Sequence, residues 1–164
     1  MPHELPQAVL ITGPVGVGKT SLAAELGDVL AERGTVAAVV DLDWLGWLPS
    51  AVNGSIDALI LRNLEAVWPN FRDAGAERLV LARSVRDAQL VTKLREAYDL
   101  QVVRLRASEE TVAARLAGRD TGAQLEEHLA ERTEEADVAD FEFANDGPPI
   151  RDVAEELLRR LAWA

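Results

Sequence analysis

The stretch Gly13-Pro14-Val15-Gly16-Val17-Gly18-Lys19-Thr20-Ser21 sets three glycines, a lysine and two hydroxyls in the spacing G-x-x-x-x-G-K-T. Residues of these types at this spacing bind phosphate. Gly13, Gly16 and Gly18 let the backbone bend tightly and approach phosphate oxygens. Successive N–H groups then converge into an anion-binding nest. Lys19 supplies a charge that reaches the β- and γ-phosphates. Thr20 supplies a hydroxyl for a Mg²⁺ ion that keeps most of its waters. A plain glycine-rich turn before a helix is the competing reading, and the flanking sequence decides against it. Ala8-Val9-Leu10-Ile11-Thr12 reads as a buried strand, and Leu22, Ala23, Leu26, Val29 and Leu30 recur at helical spacing. Strand, glycine-rich loop and helix is the context the motif requires.

The other residues with chemical potential are carboxylates, arginines and two tryptophans. Asp41 and Asp43 end a second apolar run, Val36 to Asp41. One of the two can hold a water of the Mg²⁺ shell, and the other can take a proton from a substrate hydroxyl or orient it. Trp44 and Trp47 follow and can wall a substrate pocket or plug the fold. Arg83-Ser84-Val85-Arg86 follows the third apolar run, where a hydrophobic strand ending in aspartate would supply a standard metal carboxylate. Its absence there turns attention to Asp41 and Asp43. Arg83 and Arg86 are candidates to contact an anionic substrate, and Arg62 is a weaker one on the polar side of a helix. Arg115 and Arg119 are four apart and so share a helix face. With Asp120-Thr121-Gly122 beside them they fit a lid over residues 115–137 that closes on phosphates.

The elements that must position these groups alternate. Strands are expected at 8–12, 36–41, 79–82, 100–105 and 140–144. Trp44 to Gly54 reads as irregular, with Gly46, Pro49, Asn53 and Gly54 as breakers. Ser55 caps a helix whose apolar face is Ile56, Ile60, Leu64, Val67 and Phe71. Further helices are expected at 87–97, from Ser108 to Gly118, over the acidic stretch Gln124 to Ala136, and after Pro148-Pro149. Alternation of this kind gives a parallel sheet covered on both faces, with ligands beyond the carboxyl ends of the strands.

The chain has 164 residues, 48% hydrophobic and 27% charged, with a net charge of −11. One soluble domain, spanning 1–164, follows. That acidity argues against a nucleic-acid partner. No cysteine is present, which excludes a disulfide or thiolate metal site, and His3 and His128 are too few for a histidine centre. No membrane span or signal segment is evident, so a cytoplasmic protein is expected, monomeric or weakly dimeric.

With these residues in view, the chain resembles the small P-loop kinases: adenylate, shikimate, gluconate and adenylylsulfate kinases. The resemblance rests on GPVGVGKT, on Asp41-Leu42-Asp43, on Arg115-Leu116-Ala117-Gly118-Arg119, and on Phe143-Ala144-Asn145-Asp146-Gly147 before the last helix. The stretches LITGPVGVGKT and VVDLDWL, and the one from RNL to VW, also look like bacterial proteins described only as ATP-binding or nucleotide-kinase-like. The resemblance implies a three-layer α/β/α fold with strand order 2-3-1-4-5, and transfer of the ATP γ-phosphoryl group to a small-molecule or nucleotide acceptor. It implies that Lys19 and Thr20 serve the phosphates and Mg²⁺, that Asp43 contacts acceptor or metal, that Arg115 and Arg119 are lid arginines, and that Asn145 lies in the loop cradling adenine. Asp41 is then the metal-side carboxylate. Two departures leave the acceptor unassigned. The glycine-rich substrate motif of shikimate kinases is replaced by Arg83-Ser84-Val85, and of the nucleotide-binding arginines of adenylate kinases only Arg62 is available. A nucleotide-binding regulatory protein is the alternative class, and a phosphotransferase toxin or resistance enzyme is another. The sequence lacks the N/T-K-x-D guanine motif of a GTPase switch.

Overall fold

The computed structural model describes residues 4–48, 53–119, 122–130 and 135–163. His3, Pro49, the Asp120-Thr121 hinge and residues 131–134 of the expected acidic helix lie outside them. Five parallel strands form one sheet in the order β2-β3-β1-β4-β5. They are β1 (Gln7–Thr12), β2 (Ala37–Asp41), β3 (Arg78–Ala82), β4 (Asp99–Arg106) and β5 (Phe141–Ala144).

The central strand explains the layering. Ala8, Val9, Leu10 and Ile11 of β1 are all fully buried, and their alternation feeds two separate cores. Val9 and Ile11 face α1 (Lys19–Glu32) and α7 (Ile150–Arg160) through Leu22, Leu26, Leu157 and Leu158. Ala8 and Leu10 face α3 (Ile56–Asp73) and α4 (Ala88–Ala97) through Ile60, Leu64, Leu90 and Leu94. A strand apolar on both faces is what a parallel sheet between two helical layers needs.

Two expectations change. Trp44 belongs to a short helix, α2 (Leu42–Leu45), not to irregular chain: Asp41 caps it by accepting the Asp43 N–H at 3.0 Å. Gly46 then ends it, where a Cβ would lie 2.7 Å from Ile60. On α3, Trp68 takes the buried place and packs edge-on to Tyr98, with centroids 6.0 Å apart, while Phe71 is exposed. The period through Ile60 and Leu64 leads to Trp68, and Phe71 sits almost a turn beyond it.

The remaining helices are α5 (Glu109–Arg119) and α6 (Ala123–Ala130). Ser108 caps α5 through its Oγ, which accepts the Thr111 N–H at 3.1 Å. Residues 135–136 lie outside any helix or strand, where the expectation had them helical, and Ala136 N–H donates to the Val85 carbonyl at 2.9 Å.

Candidate active site

The loop between β1 and α1 owes its shape to glycines. Gly13 has φ 147° and Gly18 φ 101°, both in the region that side chains strongly disfavour. A Cβ on Gly13 would meet the Leu105 carbonyl at 2.6 Å, and one on Gly18 would meet Asn145 Nδ2 at 2.7 Å. Gly18 is also the N-cap of α1 and offers no side-chain cap. The first-turn N–H groups therefore remain available to an anion, with the helix dipole behind them.

Lys19, the first residue of α1, donates from Nζ to the Pro14 carbonyl at 2.9 Å. Burial pushes its ammonium down to about 8, against the pull of Asp43, Glu135 and Asp41, while Arg119 pushes it further down. Phosphate oxygens at this point would favour the charged form. Nucleotide binding near pH 9 should therefore take up about one proton. Calorimetry in two buffers of different ionisation heat measures this, and Lys19→Met should abolish the difference. Equal heats for the wild-type protein would mean that Lys19 is charged before ligand arrives.

The next residue, Thr20, donates from Oγ1 to Asp41 Oδ2 at 2.7 Å. The second oxygen of Asp41 caps α2, so the carboxylate is fixed by contacts on both sides. Among the described residues no group of three His, Cys, Asp or Glu could hold a metal. One hydroxyl and one nearby carboxylate fit a different arrangement, in which Mg²⁺ is completed by phosphate oxygens and water. Thr20 and Asp41 are the residues that would hold it.

Opposite the loop, Arg83 at the carboxyl end of β3 donates from NH1 to Asp43 Oδ1 at 2.5 Å and from NH2 to Asp57 Oδ1 at 2.8 Å. Arg83, expected to receive an anionic substrate, is thus committed to two carboxylates. Ser84 Oγ donates to the Gly13 carbonyl at 2.7 Å and ties the end of β3 to the phosphate loop. Trp44 and Trp47 stack at 5.1 Å and 16°. They are 70% and 65% exposed, which rules out a hydrophobic plug over the sheet. A cleft of about 670 Å³ runs between these groups, bringing Lys19, Thr20, Ser21, Asp41, Asp43 and Trp47 together with Ser84, Arg115 and Arg119.

Arg115 and Arg119 differ in what they do. Arg115 donates to the Val17 carbonyl at 3.1 Å and to the Asn145 carbonyl at 2.9 Å. Leu116 beside it is fully buried, 2.8 Å from where a Gly16 Cβ would stand. Arg115 thus braces the phosphate loop rather than riding on a detached lid. Asn145 acts with it: its buried amide donates to the Val17 carbonyl at 2.9 Å, so its side chain helps to hold the loop. Arg119 ends α5, lines the cleft and is close enough to affect Lys19. At the far end of the expected lid, Arg104 donates to the Ala136 carbonyl at 2.6 Å, a second tie beside the one to Val85.

Arg62 and Arg86 are not brought to this cleft. Arg62 lines a separate groove between α3 and α4 with Asp57, Asp87 and Lys93. Arg86 is exposed and is not among the described lining residues. Sequence reasoning passed over Asp57, Ser84 and Glu135. Asp57 reads as an ordinary first-turn acid on α3, and nothing local signals Arg83, 26 residues away. Glu135 has a buried oxygen without a hydrogen-bond partner, and burial raises its carboxyl against the pull of Arg104, Lys19 and Arg106.

This fold is the one shared by the P-loop kinases. Among solved structures, a sugar kinase from a Janibacter species is similar with a TM-score of 0.66 and 21% identity, covering 96% of this chain and 95% of that one. The APS kinase of Mycobacterium tuberculosis, solved with AMPPNP and APS, gives 0.66 and 22%, covering 98% and 99%. A gluconokinase from Sinorhizobium meliloti gives 0.61 and 22%, covering 98% and 94%. No family model matches the chain, and no curated protein matches it. Among the described residues no helix is long and apolar enough to cross a membrane.

Proposed function

We propose that this protein is an ATP-dependent phosphotransferase that moves the γ-phosphoryl group to the hydroxyl of a small molecule. The observation that carries this reading is that Asp43 shares one cleft with Lys19 and with the Thr20–Asp41 pair. The phosphate-binding and hydroxyl-activating groups thus face a common space at the ends of β1 and β2. The P-loop kinase fold supports the same reading.

In this reading the loop N–H groups and Lys19 hold the β- and γ-phosphates of ATP, the phosphoryl donor. Mg²⁺, held at Thr20 and Asp41, neutralises phosphate charge when bound. Asp43 is more than half exposed, so its carboxylate can reach and accept the proton of an acceptor hydroxyl. The acceptor oxygen bonds to the γ-phosphorus, the bond from phosphorus to the bridging oxygen breaks, and ADP leaves. Arg83 fixes the Asp43 carboxylate in place, and Arg119 adds positive charge at the transferring group. We take the reaction to be cytoplasmic, where ATP is at hand. The net charge of −11 disfavours nucleic acid as the acceptor. We take the protein to work as a monomer or weak homodimer.

The test is a screen of sugar, nucleoside, hydroxy-acid and antibiotic acceptors with labelled ATP, followed by Asp43→Asn on the acceptor found. Transfer should fall by about 10²-fold or more, with ATP affinity nearly unchanged. Full transfer by both Asp43→Asn and Asp41→Asn would make these carboxylates structural and refute the assignment.

A further inference from the structure

The charge already spent around Arg83 says what the acceptor is. A guanidinium at the carboxyl end of a sheet strand, beside a phosphate-binding loop, is placed to receive a carboxylate or phosphate of a substrate. Here Asp57 and Asp43 take both of its arms, at 2.8 and 2.5 Å. Arg83 and Asp57 are 18% and 23% exposed at the side chain, against 55% for Asp43. The inner pair is thus sheltered, and the outer carboxylate opens on the cleft. Two carboxylates on one guanidinium leave a net negative charge in this cluster, while the cations of the same cleft, Lys19, Arg115 and Arg119, gather about the phosphate loop. An anionic group arriving at the cluster meets Asp43 first. It gains Arg83 only by breaking a charge-assisted pair and leaving a half-buried carboxylate alone. A hydroxyl loses nothing, because it donates to the free oxygen of Asp43.

The second observation is independent of charge. Trp47 lines the same cleft, and Trp44, one residue past Asp43, stacks on it. Trp47, mostly exposed, thus presents to a polar cleft an indole backed on one face by Trp44. Such faces hold flat rings and the C–H faces of sugars.

We propose that the acceptor is an uncharged ring compound bearing hydroxyls, and that Asp57 sets this preference by occupying Arg83. This rests on the phosphotransferase reading. The sugar and nucleoside forms of the chemistry are separated by matched pairs: glucose with glucuronate, and uridine with uridine monophosphate. Binding is read as tryptophan fluorescence with Mg²⁺ and a non-hydrolysable ATP analogue present, and transfer is read with labelled ATP. The uncharged member of at least one pair should bind about tenfold or more better, the size of one charged contact. Asp57→Asn should narrow or reverse that ratio by freeing Arg83, and Trp47→Leu should weaken both members alike. The wild-type ratio is a test in itself if Asp57→Asn folds poorly. Preference for the anionic member, an unchanged ratio in Asp57→Asn, or no binding by any of the four compounds overturns the inference. The expected binding ratio without transfer would sink the phosphotransferase reading and leave the charge preference standing. Transfer to the anionic member alone would do the reverse.

Discussion

A protein carrying Lys19→Ala should stay folded and yet transfer phosphoryl groups about 10³-fold more slowly, or not at all. The rate argument is electrostatic. One preorganised donor aimed at developing charge is worth about 10²–10³ in rate, and Lys19 also carries a full charge in a sheltered site. The stability argument runs through its proton. The folded value of about 8 lies below the ordinary lysine value of 10.5, so between them the unfolded chain binds more protons than the folded one. Wild-type stability therefore rises with pH across that window. Below pH 8 the cost of the buried charge is fully present, and Lys19→Ala removes it together with one hydrogen bond to Pro14. Melting curves at pH 7 and pH 10 should show the mutant gaining relative to wild type at the lower pH. Unchanged ATP affinity and turnover would show that Lys19 does not touch the phosphates.

The groups that act next to one another in sequence were legible, and those that meet through the fold were not. Gly13 to Thr20 announce their loop because the backbone geometry allows little else, and the apolar runs announce strands buried on both faces. Asp41 and Asp43 were legible as a pair because a strand end puts both beside the loop. That Asp41 rather than Asp43 meets Thr20 became readable only from their contact at 2.7 Å. Long-range pairs have no local signature. Arg83 looks free until Asp43 and Asp57 are brought to it from 40 and 26 residues away. Nothing local in the sequence shows that the Asn145 amide also bonds the Val17 carbonyl, 128 residues distant. Arg115 and Arg119 share a helix face, and four residues of spacing cannot tell a brace from a catalytic cation.

That last distinction sets the remaining large effect. Arg119→Ala should lower transfer by about 10³-fold or more if the guanidinium stabilises the transferring group as an arginine finger does. Its place supports the role: it ends α5, lines the cleft and shares the electrostatic environment of Lys19. The substitution should leave the melting temperature nearly unchanged, because Arg119 is exposed. Arg115→Ala provides the contrast. It removes two hydrogen bonds that hold the Val17 and Asn145 carbonyls beside the phosphate loop, so it should weaken ATP binding and lower the melting temperature. α5 packs on the phosphate loop through Leu116, and Ala136 is tied to Val85, so neither of these two places in the expected lid is detached from the body of the fold. Hydrogen exchange with and without the ATP analogue should show little change over 109–118. Equal losses of transfer and of stability in both arginine mutants would make Arg119 a second brace and leave the transferring group without its cation.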